Sequence, residues 1–317
     1  MASEISKAVG HKAAPLDVTW NQRDLLLYVA GIGAKYDELD LTFELNDNWK
    51  PFPTYPLVTG FKGDSQDVVN FAESLKGRAG DAPPGMPELD PNKVVHAEQS
   101  IKILRPLPKE ARPEDGWKLL RSTGGVHDKG KGLIIETVST LVDGKGTEYC
   151  HMVSASYNFG KFDLGGFSKS ISPKLSVQTK KQPPAKDPDF VAEDKTTKEQ
   201  ALVYRLSGDY NPLHIDPSIG KKLGFGGVIL HGLCFYGIAA RAIVRHVAKG
   251  DGSRLLEMGG RFTSPVLPGQ TLLTHIWTQP AKDGNIQVDF AQQIKETGKW
   301  SLAGCALVAK GSTNSKL

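Results

Sequence analysis

The chain has 317 residues, 39% of them apolar and 23% charged. That is room for two compact domains of ~100–200 residues each, at an ordinary globular composition that excludes disordered, collagenous and disulfide-scaffold classes. Lys plus Arg number 39 against 35 Asp plus Glu, a formal net charge of +4, and the basic residues are scattered, so no stripe for nucleic acid emerges. Cys150, Cys234 and Cys305 show no C-x-x-C spacing, which fits neither a zinc site nor a disulfide framework and points to a reducing compartment. Apolar runs such as 25–30 and 228–230 fall far short of the ~20 residues of a membrane span, and no signal peptide is expected at the start.

In chain order, residues 22–34 carry Leu25, Leu26, Tyr28, Val29 and Ile32 at helical spacing and end in Gly31 and Gly33, predicting a short buried helix. Residues 77–91 are rich in Gly, Pro and Asp and read as an exposed loop or lid. Four strand-like runs follow, at 100–107, 117–126, 132–142 and 148–159. Residues 174–190 mix Lys174, Lys180, Lys181 and Lys186 with four prolines and read as a linker. Beyond it, Thr196-Thr197-Lys198-Glu199 has the form of a capping box opening a helix. Asp216-Pro217 opens a short helix ending near Gly224, and residues 232–248 form a longer one, apolar nearly all round until Arg241, that should be wrapped by sheet. Four more strand-like runs occupy 255–263, 271–278, 286–294 and 301–310.

The halves echo each other: Arg105-Pro106-Leu107-Pro108 precedes three strand-like runs, and so does Val266-Leu267-Pro268-Gly269. Duplication is the economical explanation, each half being one long helix held against a curved antiparallel sheet. The division is then 1–173, a linker at 174–190, 191–312, and a tail at 313–317 whose Ser315-Lys316-Leu317 matches the receptor-read peroxisomal address.

Chemistry concentrates in Gly208-Asp209-Tyr210-Asn211-Pro212-Leu213-His214, a loop between two helices. Gly208 and Pro212 fix its turns and leave Asp209 and His214 near enough to hold one water, an acid and base pair that can trade a proton at neutral pH. A helix-capping Asp beside a surface His is the bland alternative. Farther on, Gly232 stands where the apolar helix begins, and its N–H, at the positive end of the helix dipole, is suited to an oxyanion. Taken alone, tight helix packing is the more common reason for a glycine there. His214-x-Asp216 and Cys150-His151 lack a third and fourth ligand at motif spacing, so no metal is expected.

Together, residues 208–216, His231-Gly232-Leu233-Cys234 and the run from Arg261 to Thr271 resemble the type-2, MaoC-like enoyl-CoA hydratases, over residues 9–310 and most strongly in the second half. The resemblance implies an α+β double hot-dog fold, with two helix-in-antiparallel-sheet repeats packed side by side. It implies cofactor-free hydration of trans-2-enoyl-CoA to (3R)-3-hydroxyacyl-CoA in peroxisomal fatty-acid β-oxidation. Asp209 and His214 would activate the water, Asn211 would orient them, and Gly232 would hold the thioester oxygen. His96, Ala97, Lys129, Tyr210, Pro212, Leu213 and Phe262 would contact the acyl-CoA, Lys129 suiting a phosphate; the family commonly has glycine where Ala97 stands. The first half has no such loop, so one site per chain is expected, with freed volume there for a long or branched acyl chain. A homodimer and the peroxisomal import receptor are the implied protein partners. A thioesterase, a carrier-protein dehydratase and a non-catalytic acyl-CoA binding module remain the alternatives.

Overall fold

The computed structural model describes residues 2–73, 82–90, 93–177 and 183–311. Parts of the 77–91 loop and of the 174–190 stretch, and the Ser315-Lys316-Leu317 tripeptide, lie outside the described residues. Eleven strands make one antiparallel sheet: β1 (Leu16–Asp17), β2 (Val94–Ile103), β3 (Lys118–Asp128), β4 (Gly132–Val142), β5 (Glu148–Phe159), β6 (Ser168–Ser170), β7 (Phe190–Lys195), β8 (Leu255–Phe262), β9 (Thr271–Pro280), β10 (Ile286–Ile294) and β11 (Trp300–Val308).

The strand order, β1-β3-β4-β5-β2-β8-β11-β10-β9-β7 with β6 on the side of β3, has an internal symmetry. Outward from the seam between β2 and β8, one side reads β2-β5-β4-β3-β1 and the other β8-β11-β10-β9-β7. These are the same connections repeated, and they give the fold the two repeats expected of a duplicated chain. The strands form because apolar residues alternate with polar ones: in β9, Leu272, Thr274 and Ile276 face the core with no exposed surface. At the seam Glu98 pairs with Arg261, Ser100 with Gly259 and Lys102 with Glu257.

The helices fill the concave side. Helix α1 (Gln22–Gly31) opens on a capping box in which Asn21 Oδ1 accepts from Asp24 N at 3.1 Å and Asp24 Oδ2 from Asn21 N at 3.0 Å. Helix α2 (Pro56–Lys62) follows it. The second half has α3 (Gln200–Arg205), α4 (Pro217–Lys222) and α5 (Gly232–His246), and α5 is buried from Leu233 to Val244, wrapped by sheet as its composition predicts. Arg241 interrupts its apolar surface only chemically. The guanidinium is buried and bonded to Glu38 at 2.7 Å and to Asp194 of β7, while Arg245 bonds the second Glu38 oxygen at 2.5 Å.

Three expectations change. The two helices are unequal, 10 residues in α1 against 15 in α5, so the first half lacks a long central helix. Thr196 forms no capping box: its hydroxyl donates to Gln270 O at 2.7 Å and accepts from Gly269 N at 3.0 Å, and α3 starts only at Gln200. A strand-to-turn contact has claimed the capping oxygen. Within 174–190, Val177 is buried and Ser176 donates through both N and Oγ to Glu257 at 2.7 and 2.6 Å, so this part is packed onto β8.

The space beside the buried face of α1 is filled. Tyr28 Oη shares a hydrogen bond with Thr54 Oγ1 at 2.8 Å, and its ring meets those of Phe52, Tyr55 and Tyr204. A cavity of about 530 Å³ lies instead between Phe52, Pro53 and Pro56, the ends of β2 and β5 at Ile103 and Tyr149, and the 249–253 turn after α5. No helix among the described residues is long and apolar enough to cross a membrane.

Candidate active site

The 208–216 loop is held against the first half by its glycine. Gly208 has φ +123°, and a Cβ there would stand 2.7 Å from the backbone N of Lys62, so neither the conformation nor the space admits a side chain. Beyond it, Asp209 Oδ1 accepts from Asn211 N at 3.2 Å, and Asn211 Oδ1 caps the 3₁₀ turn Pro212–His214 by accepting from Leu213 N at 3.0 Å. Asn211 therefore orients His214 through the backbone. Pro212 starts that turn, where its missing N–H costs nothing.

His214 is buried, and its Nδ1–H donates to the Ile229 carbonyl at 2.8 Å. A carbonyl only accepts, so the proton sits on Nδ1 and Nε2 keeps its lone pair. Asp209, His214 and His231 bring one ligand-type atom each within 4.8 Å of one another. The rings of His214 and His231 stack at 3.7 Å between centroids, and His231 Nε2–H donates to Asp209 O at 3.1 Å. Burial pushes the pKa of both imidazoles down; the Asp209 charge and the Ile229 carbonyl pull His214 partly back.

His231 is the residue that sequence reading placed in a motif without assigning it to the site. It supplies the third group missing from the His214-x-Asp216 pattern, but the trio is poorly shaped for a metal. An ion binds in the imidazole plane at ~2.0–2.1 Å. Two rings stacked 27° from parallel cannot both aim at one ion, and His231 Nε2 is already committed to a carbonyl.

Gly232 is the first residue of α5, and no protein group among the described residues accepts from its N–H. His231, in the N-cap position, makes no side-chain bond to the helix, which leaves the helix terminus uncapped. Phe262, at the end of β8, covers Gly232: a Cβ there would lie 3.3 Å from its ring. The His96 ring also packs against Phe262, at 4.9 Å between centroids, with His96 Nε2 bonded to Glu98 O at 3.0 Å. Ala97 is the extra residue of a β-bulge, since His96 pairs with Ser156 and Glu98 with Ala155. Its φ is not positive, so the methyl group is accommodated without strain.

These residues come together from both halves, while Lys129 falls farther out. Lys129 is exposed in the turn between β3 and β4, at the same end of the sheet as His96 but three strand spacings away, roughly 14 Å. Asp128 anchors that turn by accepting from Gly130, Leu164 and Gly166 N–H groups. Tyr210 is half-buried, with the Arg205 guanidinium 5.2 Å from its ring. Leu213 spends its N–H on Asn211.

A sheet of two like repeats around one buried helix, with an Asp–His loop facing that helix's N-terminus, is the plan of a double hot-dog enzyme. Residues 179–299 match the MaoC-like domain model and residues 18–160 the MFE-2 hydratase 2 N-terminal domain model. The structure is similar to a MaoC-like dehydratase from Phytophthora capsici, with TM-score 0.82 and 38% identity over 97% of this chain and 99% of that one. It has the fold of a Mycobacterium tuberculosis protein described as a double hotdog, with TM-score 0.53 and 13% identity over 96% of this chain and 97% of that one. The peroxisomal enoyl-CoA hydratase 2 of Arabidopsis thaliana is 34% identical over 317 aligned positions, 93% of this chain and 92% of that one. The peroxisomal hydratase-dehydrogenase-epimerase of Neurospora crassa is 35% identical over 95% of this chain, which spans only 31% of that longer protein. The chain belongs to the MaoC-like hydratase 2 family.

Proposed function

We propose that this protein adds water reversibly to trans-2-enoyl-CoA, giving (3R)-3-hydroxyacyl-CoA, as a step of peroxisomal fatty-acid β-oxidation. The observation that carries the reading is the convergence of Asp209, the free Nε2 of His214 and the uncapped Gly232 N–H at one helix terminus. The thioester oxygen accepts from Gly232, where the helix dipole favours the negative charge of an enolate; one such donor contributes ~2.7–4 kcal/mol to a transition state. Polarisation makes the β-carbon electrophilic. His214 Nε2 and the Asp209 carboxylate hold a water, whose oxygen bonds to the β-carbon while a proton reaches the α-carbon, so C=C becomes C–C and all atoms of the water are retained. One small dyad serving both carbons delivers both groups to one face.

No cofactor enters this scheme. His96, Ala97 and Phe262 are assigned to the acyl-thioester, as are Tyr210, Pro212 and Leu213, and Lys129 to a CoA phosphate at the rim. The first repeat is assigned to the acyl chain. The 530 Å³ cavity between the two halves lies at the far end of α5 from the dyad, ~22 Å along that helix, and is assigned to the terminal part of a long chain. A homodimer completes the reading, tested by sedimentation. Peroxisomal residence is supported by the peroxisomal relatives and by Ser315-Lys316-Leu317, and is tested by locating a tagged chain with and without that tripeptide.

The deciding experiment offers trans-2-decenoyl-CoA to the protein and to Asp209→Asn, with chiral analysis of the product. Formation of (3R)-hydroxydecanoyl-CoA by the parent alone supports the proposal. Free CoA without hydroxyacyl product makes the protein a thioesterase, and binding without turnover makes it an acyl-CoA binding module.

A further inference from the structure

His231 is buried away from bulk water, bonded to one member of the dyad and stacked on the other. Its ring is 1% exposed and lies between His214, at 3.7 Å, and Tyr204, at 4.9 Å. Its Nε2–H is spent on the carbonyl of Asp209, so its Nδ1 carries only a lone pair, and that atom is buried with no partner among the described residues. The arrangement makes sense only for a neutral ring. A protonated His231 would place an unpaired N–H in the core beside the Arg205 cation and against His214.

We propose that His231 is the positioning residue of the hydration site: one neutral imidazole fixes the Asp209 peptide by a hydrogen bond and fixes the plane of the His214 ring by stacking. The consequence is geometric. His214 can turn about its Nδ1–H bond to Ile229 O, and that rotation would swing Nε2 away from the water; the face of His231 blocks it. The Asp209 peptide, just after the left-handed Gly208, has its direction set by the bond to His231 Nε2. The same residue keeps the helix terminus free. At an N-cap position, Ser, Thr, Asp or Asn would take N–H groups of the first turn of α5, whereas the His231 side chain is turned back to the loop.

His231 also screens His214 from solvent. The charged and titratable groups facing the pair are Asp209, Arg205 and Tyr204, and of these only Asp209 favours an imidazolium on His214. Removing the covering ring admits water, relieves the burial that lowers the His214 pKa, and moves that pKa upward. The acid limb of turnover then shifts to higher pH.

The proposal rests on Asp209 and His214 being the dyad, and the test separates the two. His231→Phe keeps the stacking face and loses the donor; His231→Gln keeps a donor and loses the face; His231→Ala loses both. In hydration of trans-2-decenoyl-CoA, kcat is expected to fall at least ~10-fold in His231→Ala and by less in each of the others, with KM within about threefold. The acid limb moves up in His231→Gln and His231→Ala and stays in place in His231→Phe. Parent-like kcat and pH profile in His231→Phe and His231→Gln overturn the proposal, whether or not His231→Ala folds. If Asp209→Asn retains full hydration, the dyad itself is wrong and the failure lies there.

Discussion

Gly232 and Phe262 are in contact so close that a single methyl on the glycine would lie 3.3 Å from the ring. The contact gives the glycine two possible reasons, packing and access to its N–H, and they can be separated. Gly232→Ala is expected to cut kcat/KM by up to ~10²–10³-fold, the range of one oxyanion donor. Gly232→Ala with Phe262→Leu, measured against Phe262→Leu alone, removes the crowding but keeps a methyl beside the N–H. Activity recovered in the double variant assigns the glycine to packing; activity still lost assigns it to the thioester oxygen.

For the dyad, Asp209→Asn and His214→Ala are each expected to reduce turnover by at least ~10²-fold. Asp209→Asn should shift the melting temperature little, because Asp209 is only part-buried and its backbone contacts survive, whereas His214→Ala also removes a buried, stacked ring. Steady-state kinetics beside circular dichroism check both parts. Retained activity in either variant removes that residue from the mechanism.

The buried histidines tie stability to pH. Burial pushes His96 down to about 4 and lowers His214 and His231 as well. Their folded pKa values lie below the ~6.5 of an unfolded chain, so as pH falls the unfolded state takes up protons first. Stability is therefore full above about pH 6.5 and is lost progressively as pH falls from there towards the folded pKa values, about 4 for His96. Melting curves at pH 7.5 and 5 should show the loss, and His96→Gln should show less of it.

Arg241 neutralises two buried carboxylates, Glu38 from the first half and Asp194 from β7. Arg241→Met is expected to destabilise by ~3–5 kcal/mol, since it leaves uncompensated charge in the core. Asp194 already has its pKa raised by burial and loses the cation that opposes the shift. Adding Glu38→Gln and Asp194→Asn should recover part of the loss in urea unfolding. An additive further loss would mean the cluster acts through packing alone.

Filling the cavity between Phe52, Leu107 and the 249–253 turn tests the acyl assignment. Leu107→Trp is expected to raise KM for long-chain enoyl-CoA while leaving decenoyl-CoA nearly unchanged. Equal losses for both lengths would detach the cavity from the substrate.

Much of the fold is legible along the chain because alternation and turn residues are local signals: the runs read at 132–142, 148–159 and 286–294 coincide with β4, β5 and β10. The loop at Asp209 to His214 announces itself in the same way, by its unusual density of acid, amide and imidazole. What stays hidden depends on partners distant in sequence. Thr196 reads as a cap until Gln270 arrives beside it, and Arg241 reads as the end of an apolar helix until Glu38 and Asp194 enclose it. His231 carried a signal, an imidazole at the N-cap of an apolar helix where a hydroxyl or carboxylate is usual, but its stacking on His214 exists only in three dimensions.

The seam between β2 and β8 also sets an order in time. Glu98 waits for Arg261, 163 residues later, and β8 has its other edge covered only when β11 arrives at Trp300–Val308. During synthesis the first repeat emerges with one long strand edge open, and Phe262 gains its β11 neighbour Leu302 only when residues 300–308 have been made. Closing so distant a contact is slow, and an open edge is adhesive. The chaperone requirement of this protein should therefore persist until β11 has been made, just before the chain first becomes able to bind its substrate.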